Sequence, residues 1–215
     1  MNEITYTLLS DGTADRRLIP ILTWLLHQHC PDKAVEAKYA DFRNMPKQKD
    51  LGKKIEMAMV NYPSMILFIH RDAEGDTYDN RVSEIRKDIK NISAKYKGRQ
   101  TVCVVPVRMT EAWLLFDETA IRLAAGNKND RVVLDLPYLK TIEDKPNLTD
   151  VLEKLLIVAS GNTRGRKLKQ FKRDISEKAF KVAENIEDFS PLRKLSAFQH
   201  LEEELTAALR KMKLI

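Results

Sequence analysis

Carboxylates in this sequence recur where apolar chain gives way to turns. "LLSDGTADRR" (8–17) carries Asp11 and Asp15, "HRDAEGD" (70–76) carries Asp72 and Glu74, and "MTEAWLLFD" (109–117) carries Glu111. Carboxylates gathered in one place repel one another and resist ionisation unless a cation joins them. Mg²⁺ is the natural candidate, with Mn²⁺ as its substitute. It takes oxygen ligands and commonly uses one or two carboxylates together with a substrate phosphate. Such an ion polarises a phosphoryl oxygen, activates a water and stabilises the leaving oxygen. Asp72 and Glu74 are spaced i, i+2, so both point to one side of an extended chain.

Each acid also has a purely local explanation. Asp15 precedes "RRLIPIL" and suits a helix N-cap, and Asp11-Gly12 is turn chemistry. Asp72 and Glu74 read equally as solvated loop charges, and Glu111 as a first-turn acid favoured by the helix dipole. His70 lies two residues before Asp72, where a base or proton shuttle is conceivable; a structural strand-end histidine is the commoner role. The sequence contains no GxxxxGK[ST] phosphate loop, which argues against autonomous ATP hydrolysis.

The elements that must position these residues alternate through the first half of the chain. "ITYTLLS" (4–10), "AVEAKYADF" (34–42), "SMILFIHRD" (64–72) and "TVCVVPV" (101–107) have strand composition. Helical apolar spacing marks 14–29, 47–62, 80–96 and 109–117. Strands alternating with helices point to an α/β fold with a parallel sheet flanked by helices, of Rossmann type. Ligands in such folds bind beyond the carboxyl ends of the strands, near the point where strand order reverses. In the order 2-1-3-4, Asp11 after strand 1 and Asp72 with Glu74 after strand 3 face one crevice, and Glu111 lies on the same edge. Loop charges have no reason to converge in that way.

The pattern changes after about residue 117. Residues 1–117 read as the α/β core and 118–215 as a mainly helical C-terminal region packed on it. Helices are expected at 118–126, 148–160, 175–186 and 196–212, with Ser196 as a cap for the last. "RVVLDL" (131–136) has the composition of a short strand. The chain has 37 basic and 31 acidic residues, a net charge of +6. That balance is compatible with a polyanionic partner without demanding one. The charge is concentrated in "TRGRKLKQFKR" (163–173), where Arg164, Arg166, Lys167, Lys169, Lys172 and Arg173 stand with no acid among them. Such a segment either tracks a nucleic-acid backbone through phosphate contacts or is a solvated loop. No apolar stretch approaches the roughly 20 residues of a membrane span. The start of the chain lacks secretory-signal features, and Cys30 and Cys103 lack metal-ligand spacing. The expectation is therefore a cytoplasmic protein with free thiols and no membrane partner.

The acidic motifs resemble the Toprim domain of topoisomerases, primases and OLD-family nucleases. That domain has an acid-Gly-x-x-acid motif after strand 1 and Asp-x-Asp after strand 3. Here the first reads "SDGTAD", with Asp11 in the place of the usual glutamate, and the second reads "DAE", with Glu74 in place of the second aspartate. "FIHRDAEG", "VPVRMTEAWLLFD" and "EKAFKVAENIEDFSPLRKLSAFQHLEEEL" are more specifically similar to an uncharacterised prokaryotic Toprim-like family. Members of that family are associated with ATPases in genome defence or DNA maintenance.

The resemblance implies Mg²⁺-dependent phosphodiester cleavage of nucleic acid. Asp11 falls in the general acid/base or ligand position, Asp72 and Glu74 become metal ligands, and Glu111 completes the metal site. Arg108, at the end of strand 4, becomes the main candidate for orienting phosphate, with Arg16 and Arg71 beside it. Aspartate is one methylene shorter than glutamate, which bears on the reach of Asp11. Two other classes stay open. One is a Toprim-fold interaction subunit of an ATPase partner with little catalysis of its own; a homo-oligomer is compatible with every class. The other is a phosphoryl-transfer enzyme with Asp72 as nucleophile.

Overall fold

Four short β-branched and aliphatic runs pair side by side at the centre of the molecule. β1 (Glu3–Leu9), β2 (Ala34–Tyr39), β3 (Ile66–His70) and β4 (Gln100–Val104) form one parallel sheet in the order β2-β1-β3-β4. The computed structural model describes residues 2–45, 48–73, 75–92, 96, 99–107, 109–162 and 164–215. Strand β1 pairs Tyr6 with Ala37 on one side and with Ile66 on the other, and β3 pairs Phe68 with Val102. The strand order therefore reverses between β1 and β3, where the acids were expected to converge.

Residue parity decides which layer each strand residue enters. Ile4, Tyr6, Leu8, Ile66, Phe68, Val102 and Val104 belong to one buried cluster, which includes Leu18, Ile21, Leu22 and Leu25 of α1 (Leu18–His29). Leu9, Leu67, Ile69, Cys103 and Val105 face the other way. They meet Ile55, Ala58 and Met59 of α2 (Leu51–Asn61) and Ile85 of α3 (Tyr78–Ile92). Both faces of β3 are covered, which is why its five residues are all buried and its sequence lacks alternation. Tyr6 meets Phe68 edge-on at 5.2 Å, and its hydroxyl reaches Thr23 Oγ1 at 2.8 Å, so the ring is buried with its polar end satisfied.

The C-terminal region adds α4 (Glu118–Ala125), α5 (Leu148–Ser160), α6 (Gly165–Arg173), α7 (Ile175–Asn185) and α8 (Ser196–Lys211). Their apolar faces join the same cluster as α1, through residues including Ile121, Leu152, Val182 and Leu201. Asp117 caps α4 by accepting the Ala120 N–H at 2.9 Å, and Gly126 closes it at φ 81°, a left-handed conformation that suits glycine.

Several local expectations are corrected. "RVVLDL" forms no strand, and Val133 within it is 85% exposed; it lies against no sheet edge that could take its hydrogen bonds. Segment 14–29 is not one helix, because a 3-10 turn, Thr13–Arg17, precedes α1. The expected helix at 109–117 contracts to a 3-10 turn, Thr110–Trp113, with all four residues buried. Ser196 is the first helical residue of α8 rather than its cap. Cys30 and Cys103 are both buried free thiols. No helix among the described residues is long and apolar enough to cross a membrane.

Candidate metal centre

The site forms where β1, β3 and β4 end together. Beyond β3 the chain stays extended, because Arg71 N–H donates to Val104 O at 3.2 Å and Ala73 N–H to Pro106 O at 3.1 Å. An extended backbone turns residues i and i+2 to one side, so His70 and Asp72 share a face. The turn after β1 then brings in Asp15. Asp15 N–H donates to Gly12 O, and the Asp15 carboxylate accepts the Gly12 N–H, both at 3.1 Å. This two-way bond fixes the 3-10 turn with the other carboxylate oxygen aimed at His70. Asp15 is thus not the cap of α1, which begins three residues later.

His70 Nε2 lies 3.6 Å from Asp15 Oδ1 and 3.6 Å from Asp72 Oδ1. These are charge contacts at distances longer than hydrogen bonds. Thr110 Oγ1 lies 3.4 Å from the same nitrogen. The opposite ring nitrogen, Nδ1, donates to Val104 O at 3.0 Å. A carbonyl can only accept, so Nδ1 carries a proton and Nε2 is the nitrogen left to face the carboxylates. Burial favours the neutral ring. Asp15, Asp72 and the Val104 carbonyl together outweigh burial and raise the His70 pKa above its usual value. Burial also works against ionised Asp15, but His70, the Gly12 N–H and Arg17 prevail and hold its pKa below the usual carboxylate value.

Ligand atoms of Asp15, His70 and Asp72 all lie within 4.8 Å of one another, the group among the described residues with a metal-binding arrangement. The donor chemistry fits a divalent cation. Two carboxylates supply negative charge, and an imidazole with its far nitrogen tied to a backbone carbonyl presents Nε2 in a fixed orientation. Oxygen donors suit Mg²⁺ and Mn²⁺, and the imidazole favours the softer Mn²⁺.

The remaining predicted residues distribute around this trio. Asp11 lines the same cleft of about 90 Å³, together with Arg71 and Arg81. It is half-exposed, and its carboxylate is engaged by Lys54 Nζ at 2.6 Å and Arg71 Nε at 3.4 Å. Glu111 stands apart, in a buried ion pair with Arg17 at 2.6 Å. Glu74 and Arg108 lie outside the described residues. Arg16 does not line this cleft; its guanidinium lies 5.5 Å from the Tyr39 ring centre.

Lys54 and Arg81 escaped the sequence reading. Arg81 sits in the first turn of α3, and its Nε is buried without a hydrogen-bond partner among the described residues. Its position one turn beyond "DAEGD" was the available signal. Lys54 is carried in by α2, and nothing in the sequence links it to Asp11 across 43 residues.

Within the basic segment, Gly165–Arg173 folds as α6 rather than as a loop, with Arg164 at its N-terminal cap. Arg164, Arg166, Lys167, Lys169, Lys172 and Arg173 are all exposed, while Phe171 is buried and anchors the helix. Lys178 of α7 lies over the Phe171 ring at 5.7 Å. The first turn of α7 in turn shares a groove of about 360 Å³ with Thr13, Ala14, Arg16 and Arg43. Asp41 and Glu177 also line that groove, so its charges are balanced and the basic surface of α6 does not continue through it to the 3-10 turn. Comparison of the chain with protein-family models, with curated proteins and with solved structures gives no match.

Proposed function

We propose that the chain is a Toprim-type, divalent-metal-dependent nuclease that hydrolyses phosphodiester bonds in nucleic acid. The convergence of Asp15, His70 and Asp72 at the β1/β3 switch point carries this reading. Asp15, His70 and Asp72 would hold Mg²⁺ or Mn²⁺, which when bound supplies Lewis-acid polarisation of a phosphoryl oxygen. The chain's own residues do the rest. Arg71 and Arg81 line the cleft with guanidinium groups suited to phosphate oxygens. His70 is oriented by the Val104 carbonyl and Asp15 by the Gly12 N–H of its own turn, so this part of the site is arranged before substrate arrives. The exposed cations of α6 supply sequence-independent backbone contacts. The motif resemblance further implies roles for Glu74 and Arg108, which lie outside the described residues, and suggests genome defence or DNA maintenance as the setting.

Incubation of the protein with single- and double-stranded DNA and RNA in Mg²⁺ or Mn²⁺ tests the reading. Cleavage is expected from the wild type and not from Asp72→Ala. Equal cleavage by both proteins rules it out.

One observation favours a second reading, an interaction subunit of an ATPase partner with little activity of its own. Asp11, in the position of the first-motif glutamate, is occupied by Lys54 and Arg71 rather than gathered into the trio. A folded wild type that binds Mn²⁺ but cleaves no nucleic acid supports this alternative.

A further inference from the structure

The two edges of the sheet are treated differently. At the β4 edge the Cys103 N–H donates to Glu204 Oε2 of α8 at 2.9 Å, so a side chain occupies an outward backbone group. At the other edge, β2 pairs with β1 alone among the described residues. Ala34 N–H donates to Asn2 O and Ala40 N–H to Leu8 O, so even-numbered residues of β2 turn their backbone groups to β1. Val35, Ala37 and Tyr39 consequently turn theirs outward. Proteins usually guard such an edge with proline, a bulge, a covering element or charges of one sign. β2 contains no proline, its six residues pair with β1 in continuous register, and Ala34, Glu36 and Ala37 are exposed.

The sequence of this edge is complementary to its own reverse. Reading outward from Ala37, Glu36 mirrors Lys38, Val35 mirrors Tyr39 and Ala34 mirrors Ala40. We propose that β2 is the interface of a symmetric homodimer, in which two copies pair antiparallel about Ala37 and join two four-stranded sheets into one. The parity of outward groups permits this register and forbids a one-residue slip. Ala37 faces Ala37, and Val35 faces Tyr39, as hydrogen-bonded pairs. Glu36 faces Lys38 of the second copy as a non-hydrogen-bonded pair, where side chains lie closest. Within one chain Lys38 Nζ already lies 3.7 Å from Glu36 Oε2, so both charges share a sheet face. Pairing two copies makes four charges of alternating sign. The two-fold axis runs perpendicular to the sheet, so each helical layer of one copy continues into the same layer of the other. This charge arrangement is why a second copy, rather than an unrelated strand, is the occupant.

Sedimentation velocity on the 215-residue chain over a range of concentrations tests the proposal. The wild type is expected to sediment as a dimer. Glu36→Lys and Lys38→Glu, each of which sets like charges opposite one another, are expected to weaken self-association by about tenfold or more. An equimolar mixture of these two variants restores a dimer, because every facing pair in the heterodimer is again of opposite sign. Ala37→Pro removes the central outward N–H, a change an edge strand accommodates, and abolishes the dimer. Circular dichroism confirms that each variant is folded. Should a single variant fail to fold, Glu36→Lys/Lys38→Glu must dimerise like the wild type. A monomeric wild type, a dimer indifferent to the single variants, or a folded double variant that remains monomeric overturns the proposal.

Discussion

Val104, the last residue of β4, accepts the Nδ1 proton of His70, the last residue of β3, at 3.0 Å. This bond joins the fold to the site. It makes the tautomer of a buried imidazole a consequence of strand pairing, and it leaves Nε2 between two carboxylates.

Removing one proposed ligand should weaken metal binding without harming the fold. Asp72→Asn keeps the side-chain volume but removes the charge, and is expected to lower Mn²⁺ affinity by about a hundredfold or more in calorimetry. Its circular dichroism spectrum should match the wild type. Unchanged affinity would remove Asp72 from the ligand set.

The Arg17–Glu111 pair is buried on both sides, at 7% and 10% side-chain exposure. Glu111→Ala leaves the Arg17 guanidinium buried without its counter-charge, and should cost about 3–5 kcal/mol in urea unfolding. Arg17→Met/Glu111→Leu removes both charges and should be markedly less damaging than the single change.

Glu202 of α8 accepts from Arg193 Nη2 at 2.8 Å and lies 3.0 Å from His29 Nε2 at the end of α1. The Arg193 contact, opposed by burial and aided by His29, holds the Glu202 pKa below its ordinary 4.5. A folded-state pKa depressed below the unfolded one means that the unfolded chain takes up the proton more readily. The stabilisation is therefore complete above about pH 4.5 and is lost as pH falls through the lower folded value. Glu202→Gln should be less stable than the wild type at pH 7, and the gap should narrow in acid. A gap that stays constant between pH 7 and pH 3 would contradict this assignment.

If α6 tracks a polyanion, its cations contribute through counterion release. Lys167→Ala/Lys169→Ala/Lys172→Ala should weaken DNA binding for all sequences alike. It should also reduce the slope of log K against log salt by about 0.7–0.9 for each phosphate that is no longer neutralised. An unaltered slope would leave α6 as a solvated helix.

The sheet was legible because its signals were local. Unbroken apolar runs at "ILFI" and "VCVV" read as strands covered on both faces, and the alternation with helices pointed to parallel pairing. That in turn placed Asp11 and Asp72 at one cleft. The composition of the trio was harder to read. Whether Asp15 caps a helix or enters the site depends on the chain forming a 3-10 turn before α1, so that its carboxylate both returns to Gly12 and faces His70. The role of His70 depends on the Val104 carbonyl, which no spacing in the sequence reveals. Glu111 had the right strand edge but a partner 94 residues away in Arg17, a packing relationship invisible to motif reading. "RVVLDL" carried strand composition without an adjacent edge to pair with, and composition alone could not tell the difference.

Diffraction from crystals grown with Mn²⁺, recorded at the manganese absorption edge, tests the central claim most directly. The account predicts an anomalous peak bounded by Asp15 Oδ1, His70 Nε2 and Asp72 Oδ1, absent from Asp72→Asn crystals grown in the same way. No peak among these three residues, or a peak there that survives Asp72→Asn at full height, would contradict it.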